Sequence, residues 1–411
     1  MGPPGAAGGV QQFVLGLAAG LAELEGDGEQ YHFLVDWQTQ DWLGPVLRGP
    51  CFLLVAEGAP RPATSGWKRT VKRIVPRPVM ELPFRALAAA RAARPFRVPV
   101  SDGSIERAGI DVMHQTVQDA FLTNIPTIYT PYDLQHIHLP EMFAPRDLRR
   151  KEASYSTFCE AAEAVIAISR WGKEDLIRTL HLPPGKVRVV HLAPAVDTYA
   201  ELDAPAEEAL RRRLGLPATF ALYPAQTWPH KNHIRLLEAF ARLRDIDALP
   251  VPVIFTGHRN DHFPAIARRV RELRLEGQVF FSGFLAPAEL KAVYRRARIL
   301  VFPSRFEGFG MPIVEAFRLG VPVACSNATS LPEVAGDAAE FFDPDDTASM
   351  ATAIRRLWTD EARRRDLVVR GEERARNFSW TGTARRCRVL YRMVGRRPLD
   401  EADQRLLAEM L

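Results

Sequence analysis

The chain of 411 residues is 47% hydrophobic and 25% charged with a net charge of +5, a globular composition too long for one ordinary core, so two domains are expected. No stretch reaches the roughly 18 uncharged apolar residues that a spanning helix needs, and the uncharged run from Gly2 to Ala22 is interrupted by glycines, prolines and two glutamines without a basic leader, which predicts a cytoplasmic protein. Four cysteines, Cys51, Cys159, Cys325 and Cys387, show no paired spacing, so structural thiols are expected rather than a zinc site or a disulfide framework.

The first nine residues form a glycine-rich loop ending in Gly8-Gly9. It runs into an amphipathic helix in which Val10, Phe13, Val14, Leu17, Ala18, Leu21 and Leu24 recur at three- and four-residue steps. A glycine loop opening a helix can cradle phosphate, which makes Gly9 a candidate contact. Residues 31–35 and 51–55 read as strands. Between Arg61 and Arg97 lie ten Lys or Arg residues and one acid, Glu81, with Trp67, Val71, Ile74 and Val75 interleaved. Such a segment is either a solvated basic face or a surface that meets an anionic membrane or an acidic acceptor. An alanine-rich helix over 85–94 follows, then strands over 111–113 and 126–130 and the polar cluster from Tyr132 to Pro140. Helices over 148–162 and up to Leu180 alternate with strands over 164–168 and 186–190. That alternation predicts a layered α/β domain whose functional loops follow the strand C-termini.

Between Val196 and Leu210 the composition shifts to Asp, Ala, Glu and Pro, a candidate linker. The pattern then restarts with strands over 220–223, 253–255, 279–281 and 299–302 and helices between them. The last of these strands enters the most informative stretch, Pro303-Ser-Arg-Phe-Glu-Gly-Phe-Gly-Met-Pro-Ile-Val-Glu315. Two carboxylates, Glu307 and Glu315, bracket a Gly-Phe-Gly-Met-Pro turn. Gly308 and Gly310 let backbone approach a ligand, and Pro312 suits a first helical position, which would put Glu315 in the first turn. Residues 331–334 and an arginine-rich helical tail continue the domain. Asp343-Pro-Asp-Asp346 resembles a metal motif, but its place between a strand and a helix predicts a cap, and no metal site is expected.

Transfer of a sugar from a nucleotide donor must neutralise a diphosphate leaving group and hold a sugar whose anomeric carbon becomes cationic. N–H groups at a helix start with a lysine serve the first need, and carboxylates serve the second. Lys231, in Pro229-His-Lys-Asn232, follows a strand of the same domain and is placed to reach the same loop.

From about Phe220 to Tyr391 the chain resembles the donor domain of glycosyltransferase family 4. The resemblance rests on the Glu307, seven residues, Glu315 pattern, on Pro303-Ser304, on Lys231-Asn232, and on Gly257, Gly283 and Phe341-Phe-Asp-Pro344. It implies a GT-B fold: an acceptor-binding Rossmann-like domain over 1–197, a nucleotide-sugar domain over 205–385, and a tail over 386–411 packing back on the first. It implies a retaining, metal-independent hexosyltransferase without a cofactor, with mannose one candidate sugar, acting in polysaccharide biosynthesis. The expected partners are a nucleotide-sugar donor and a glycan or lipid-linked acceptor, with peripheral membrane contact through residues 61–97 and no nucleic acid. Glu307 would approach the donor sugar, Glu315 the ribose, and Lys231, Gln226 and the chain through Gly308, Phe309, Gly310, Met311 and Pro312 the phosphates and sugar hydroxyls.

Three departures from the family pattern stand out. Ala225-Gln226 occupies the usual Gly-Arg, and Gln226 donates hydrogen bonds without charge. The frequent His-Asp pair appears as Tyr132-Asp133, so Asp133 is a candidate catalytic residue, with the histidine's role falling to His136 or to Tyr132. The strand that should precede the glycine loop has no residues to form it, so either a start further upstream or a truncated sheet with an exposed edge is expected. A non-catalytic nucleotide-sugar-binding protein is the alternative reading.

Overall fold

The computed structural model describes residues 8–24, 28–36, 43–56 and 96–411. In the first half, strands β1 (Tyr31–Asp36) and β2 (Cys51–Ala56) pair in parallel. Strands β3 (Met113–Gln115), β4 (Thr127–Tyr129), β5 (Ala164–Ala167) and β6 (Val187–Val189) form a separate four-stranded parallel sheet in that order. Among the described residues no strand lies before the helix Gly9–Ala22, and β1 and β3 both line one cavity of about 660 Å³. Its floor is Val14, Leu17 and Leu21 of that helix, the apolar face read from the sequence. The basic segment and the helix expected over 85–94 fall almost entirely outside the described residues.

The second half is a continuous six-stranded parallel sheet of β7 (Ala221–Pro224), β8 (Val253–Thr256), β9 (Val279–Gly283), β10 (Ile299–Phe302), β11 (Val323–Ser326) and β12 (Ala339–Phe342). The order β12-β11-β10-β7-β8-β9 reverses between β10 and β7, so the loops leaving these two neighbours open into one crevice. Both are unbroken apolar runs because a parallel sheet covered by helices buries both faces; Ile299, Leu300 and Val301 are fully buried.

The linker expected over 196–210 is shorter. Asp203 accepts a hydrogen bond from the Ala206 amide and caps a helix, Ala204–Leu214, so the acidic and alanine-rich composition there is helix-start chemistry. The tail returns to the first half. Helix Trp380–Val394 runs along helix Gly9–Ala22, and only glycine permits the approach: a Cβ on Gly16 would lie 2.1 Å from the Trp380 ring, and one on Gly20 2.3 Å from its carbonyl oxygen. Contacts with the first half are already present before residue 386: Phe378 meets the His191 ring edge-on at 5.9 Å, and the Trp380 indole donates to the Pro194 carbonyl. All four cysteines are buried free thiols.

Candidate active site

Lys231 ends a short 3-10 turn, Pro229–Lys231, that follows β7. Its position is fixed from three sides. The buried Tyr223 hydroxyl donates to the Lys231 carbonyl, the Arg305 amide donates to that of His230, and the Asn232 side-chain amide bonds the Pro303 and Pro344 carbonyls at 3.1 and 2.7 Å. The β7 and β10 loops are thereby tied together. Lys231 Nζ reaches Glu307 Oε1 at 2.5 Å, both side chains more than four-fifths buried.

Glu307 stands on a loop whose main chain is gripped by its neighbours. Its amide donates to Thr329 Oγ1, and Ser330 Oγ donates to the carbonyls of Glu307 and Phe309. Gly310, at φ 102°, is the N-cap of helix Met311–Arg318, where a Cβ would strike Leu331 at 2.5 Å. Pro312 occupies the second position, where its missing N–H costs nothing, the Ile313 amide donates to the Gly310 carbonyl, and the Met311 N–H at the first position has no partner inside the helix. Met311 is partly buried there, while the Phe309 ring turns inward against Phe378.

Glu315 lies in the second turn rather than the first, because the helix opens at Met311. It is almost fully buried and accepts from the Tyr294 hydroxyl at 2.6 Å. Burial raises its carboxyl to about 7, against the opposing hydrogen bonds from Tyr294 and the Ala195 backbone.

The first half closes over this loop. A Cβ on Gly308 would meet the Tyr132 carbonyl oxygen at 2.7 Å and Asp133 Cβ at 3.2 Å. Asp133 accepts from the Gln135 amide, and desolvation raises its carboxyl, with the Glu307 charge adding to the effect. Lys231, Glu307, Gly308 and Asp133 therefore meet at the junction of the halves. Gly8, at φ 53°, faces Gln226: a Cβ there would sit 3.5 Å from Gln226 Nε2, while Gln226 Oε1 is taken by the Trp228 indole. Gly9, next to it, is exposed with open space around its Cα.

His136 is not part of this meeting point. Its ring is buried against Tyr155 at 4.5 Å and Phe143 at 6.5 Å, and burial lowers its pKa to about 4. Tyr132 is held too, with its hydroxyl donating to the Thr116 carbonyl and φ at 71°. His138 is the histidine of the cluster that reaches the second half. It stacks on Phe306 at 5.3 Å and bonds both oxygens of the buried Asp175. All three lie within seven residues, and which one faces the cleft depends on a single helical turn, Gln135–His138, that carries no periodicity to read. At the ends of β8 and β9, His258 stacks on the exposed Phe284 at 4.6 Å. Asp346 Oδ1 accepts from the Ala348 and Ser349 amides, a helix cap, and the described residues hold no group of three acidic, His or Cys side chains arranged for a metal.

Two family profiles cover most of the chain. The one described as Glycosyltransferase Family 4 matches residues 7–198, and the one described as Glycosyl transferases group 1 matches residues 207–374. The chain belongs to glycosyltransferase family 4. Among curated relatives of this family 4 protein, the O-antigen chain mannosyltransferase B of Escherichia coli is 32% identical over 254 residues, which are 62% of this chain and 66% of the relative. The chain spans smaller shares of others, 28% of one serotype-specific mannosyltransferase WbdA. Sucrose-phosphate synthase from Thermosynechococcus elongatus shares the architecture at a TM-score of 0.66 and 21% identity over 94% of both chains. The Anabaena protein HepE, solved with UDP and glucose, has the same TM-score at 18% identity over 94% of this chain and 96% of its own. The fold is GT-B, with two Rossmann-like domains of parallel strands and a C-terminal helix crossing back onto the first. No helix of the described residues is long and apolar enough to cross a membrane.

Proposed function

We propose that this family 4 protein transfers a hexose from a nucleotide-diphosphate sugar to a glycan or lipid-linked acceptor with retention of anomeric configuration. The observation that carries the reading is the contact of Lys231 with Glu307 in front of the start of helix Met311–Arg318, facing Asp133 of the other domain. A lysine and the N–H end of a helix suit a departing diphosphate and need no metal ion to do so. Glu307 suits the donor sugar and Glu315 the ribose. Asp133, with its carboxyl raised toward the neutral form, suits a hydrogen bond to a sugar hydroxyl, and the departing phosphate would take the acceptor proton on the same face. The name of the E. coli relative makes mannose the first sugar to test, and the UDP seen with HepE makes UDP a nucleotide to test beside GDP and ADP.

A thermal-shift screen against these nucleotides and their sugars identifies the donor, since a ligand of the native state raises its stability. With that donor, Lys231→Ala and Glu307→Ala should each lower transfer at least about 100-fold while leaving the fold intact. Unchanged turnover in both sinks the assignment. A second reading, a binder without turnover, is favoured by Gln226, which adds a donor but no charge beside the phosphates; tight nucleotide binding with neither transfer nor donor hydrolysis would establish it.

A further inference from the structure

Resting on the transferase reading, the geometry points to Glu333 as a positioning residue that couples closure of the domains to the shape of the Glu307 loop. Glu333 belongs to the short helix Leu331–Ala335 after β11, and its carboxylate leaves the second domain altogether. Oε1 accepts from the Arg170 amide at 2.8 Å and from His191 Nε2 at 2.8 Å, and Oε2 accepts from the Trp171 amide at 2.9 Å. Arg170 and Trp171 are the first two residues of helix Arg170–Leu180 in the first domain. A carboxylate there meets unpaired N–H groups and the positive end of the helix dipole.

The same helix is capped by Ser169, and Ser169 Oγ donates to the Gly308 carbonyl at 2.9 Å across the cleft. Gly308 lies between Glu307 and Phe309, whose carbonyls both accept from Ser330 Oγ, three residues before Glu333. The contacts form a closed ring: Glu333, the helix start at Arg170 and Trp171, Ser169, Gly308, then Ser330 and back along the chain. A ring of this kind has a mechanical consequence. The second domain by itself holds Lys231, Glu315, the Glu307 amide and the Glu307 and Phe309 carbonyls, but the Gly308 carbonyl between them is bonded only when the helix start that Glu333 and Ser169 share is in place. Closure would then set the loop for transfer, in addition to excluding water.

The prediction separates binding from turnover. Glu333→Ala should lower kcat about 100-fold, the size expected when a reacting group is misplaced by about 1 Å, while the affinity for GDP, UDP or ADP, whichever binds the unaltered protein, stays within about twofold. Glu333→Gln has the same shape and keeps an acceptor, so it should recover part of the loss. Amide hydrogen exchange in the ligand-free protein reads the coupling without any turnover: Glu333→Ala should speed exchange both at residues 170–172 and at residues 307–310. Faster exchange at 170–172 alone, or unchanged kcat, overturns the coupling, as does an equal loss of nucleotide affinity. If the unaltered protein transfers no sugar, the transferase reading falls, and the exchange pattern still decides whether Glu333 couples closure to the loop.

Discussion

In the second domain β7 and β10 sit side by side in an unbroken sheet, whereas in the first domain β1 and β3 border a cavity of about 660 Å³. The difference reaches the side chains. Ile299, Leu300 and Val301 are fully buried, while Leu34, Phe52, Leu53 and Val55 on β1 and β2 are each more than a third exposed. It also reaches the site. Lys231 and Glu307 are fixed by hydrogen bonds within one domain, through Tyr223, Asn232, Thr329 and Ser330. Asp133 and Gly8 belong to the other domain and meet them only across the cleft. The candidate groups of the second domain are thus held by their own domain, and the first domain supplies the groups that face them.

Core truncation should separate the two domains most strongly. Leu300→Ala should cost about 3 kcal/mol of stability, because a fully buried leucine leaves a cavity in a rigid sheet. Leu53→Ala, at a partly exposed position, should cost less than about 1 kcal/mol. Urea midpoints measure both, and equal losses would mean that β2 is as well packed as β10.

Stability of the second domain should also depend on pH through Glu315. The Glu315 carboxyl titrates at 4.5 in the unfolded reference and about 7 in the fold. Between these values the folded protein keeps a proton that the unfolded chain has released, so stability should fall as pH rises from 4.5 toward 7 and level off above. The loss should be about 2 kcal/mol between pH 5 and pH 7 in the ligand-free protein. Glu315→Gln should flatten that limb; the same slope in the variant would assign it to another group.

Gly16→Ala tests how the tail holds the first domain. With the Trp380 ring in the way of any Cβ, overpacking should cost about 2 kcal/mol, whereas Gly9→Ala, in open space, should stay within about 0.5 kcal/mol. Equal thermal shifts would show that the tail moves aside. A weaker loss than that of Gly16→Ala is expected for Asp346→Ala, which removes a helix cap and should cost about 1 kcal/mol with transfer unchanged. A large loss of transfer would reopen the metal reading of that motif.

The parts legible in the sequence were local ones. Apolar runs such as 299–302 became buried strands, Asp346 became a cap as its setting between strand and helix implied, and Lys231 met the loop because the β7 and β10 turns lie on one edge of one sheet. The sequence left the histidine's role to His136 or Tyr132, because burial of the His136 ring against Tyr155 follows only once the neighbouring helix is in place. Glu333 carried no signal, since its partners at Arg170, Trp171 and His191 are 142 to 163 residues away.

By itself the sequence determined the two α/β halves, the family, and the residues that flank the candidate loop, because strand composition, turn glycines and helix starts act over a few neighbouring residues. Only the tertiary structure decided that Gly308 is pressed against Tyr132 and Asp133, that Glu333 seats on the opposite domain, and that β1 and β3 border a cavity. Each of these depends on how separately folded surfaces come together, and contacts between distant segments leave no periodicity or spacing in the chain to be read beforehand.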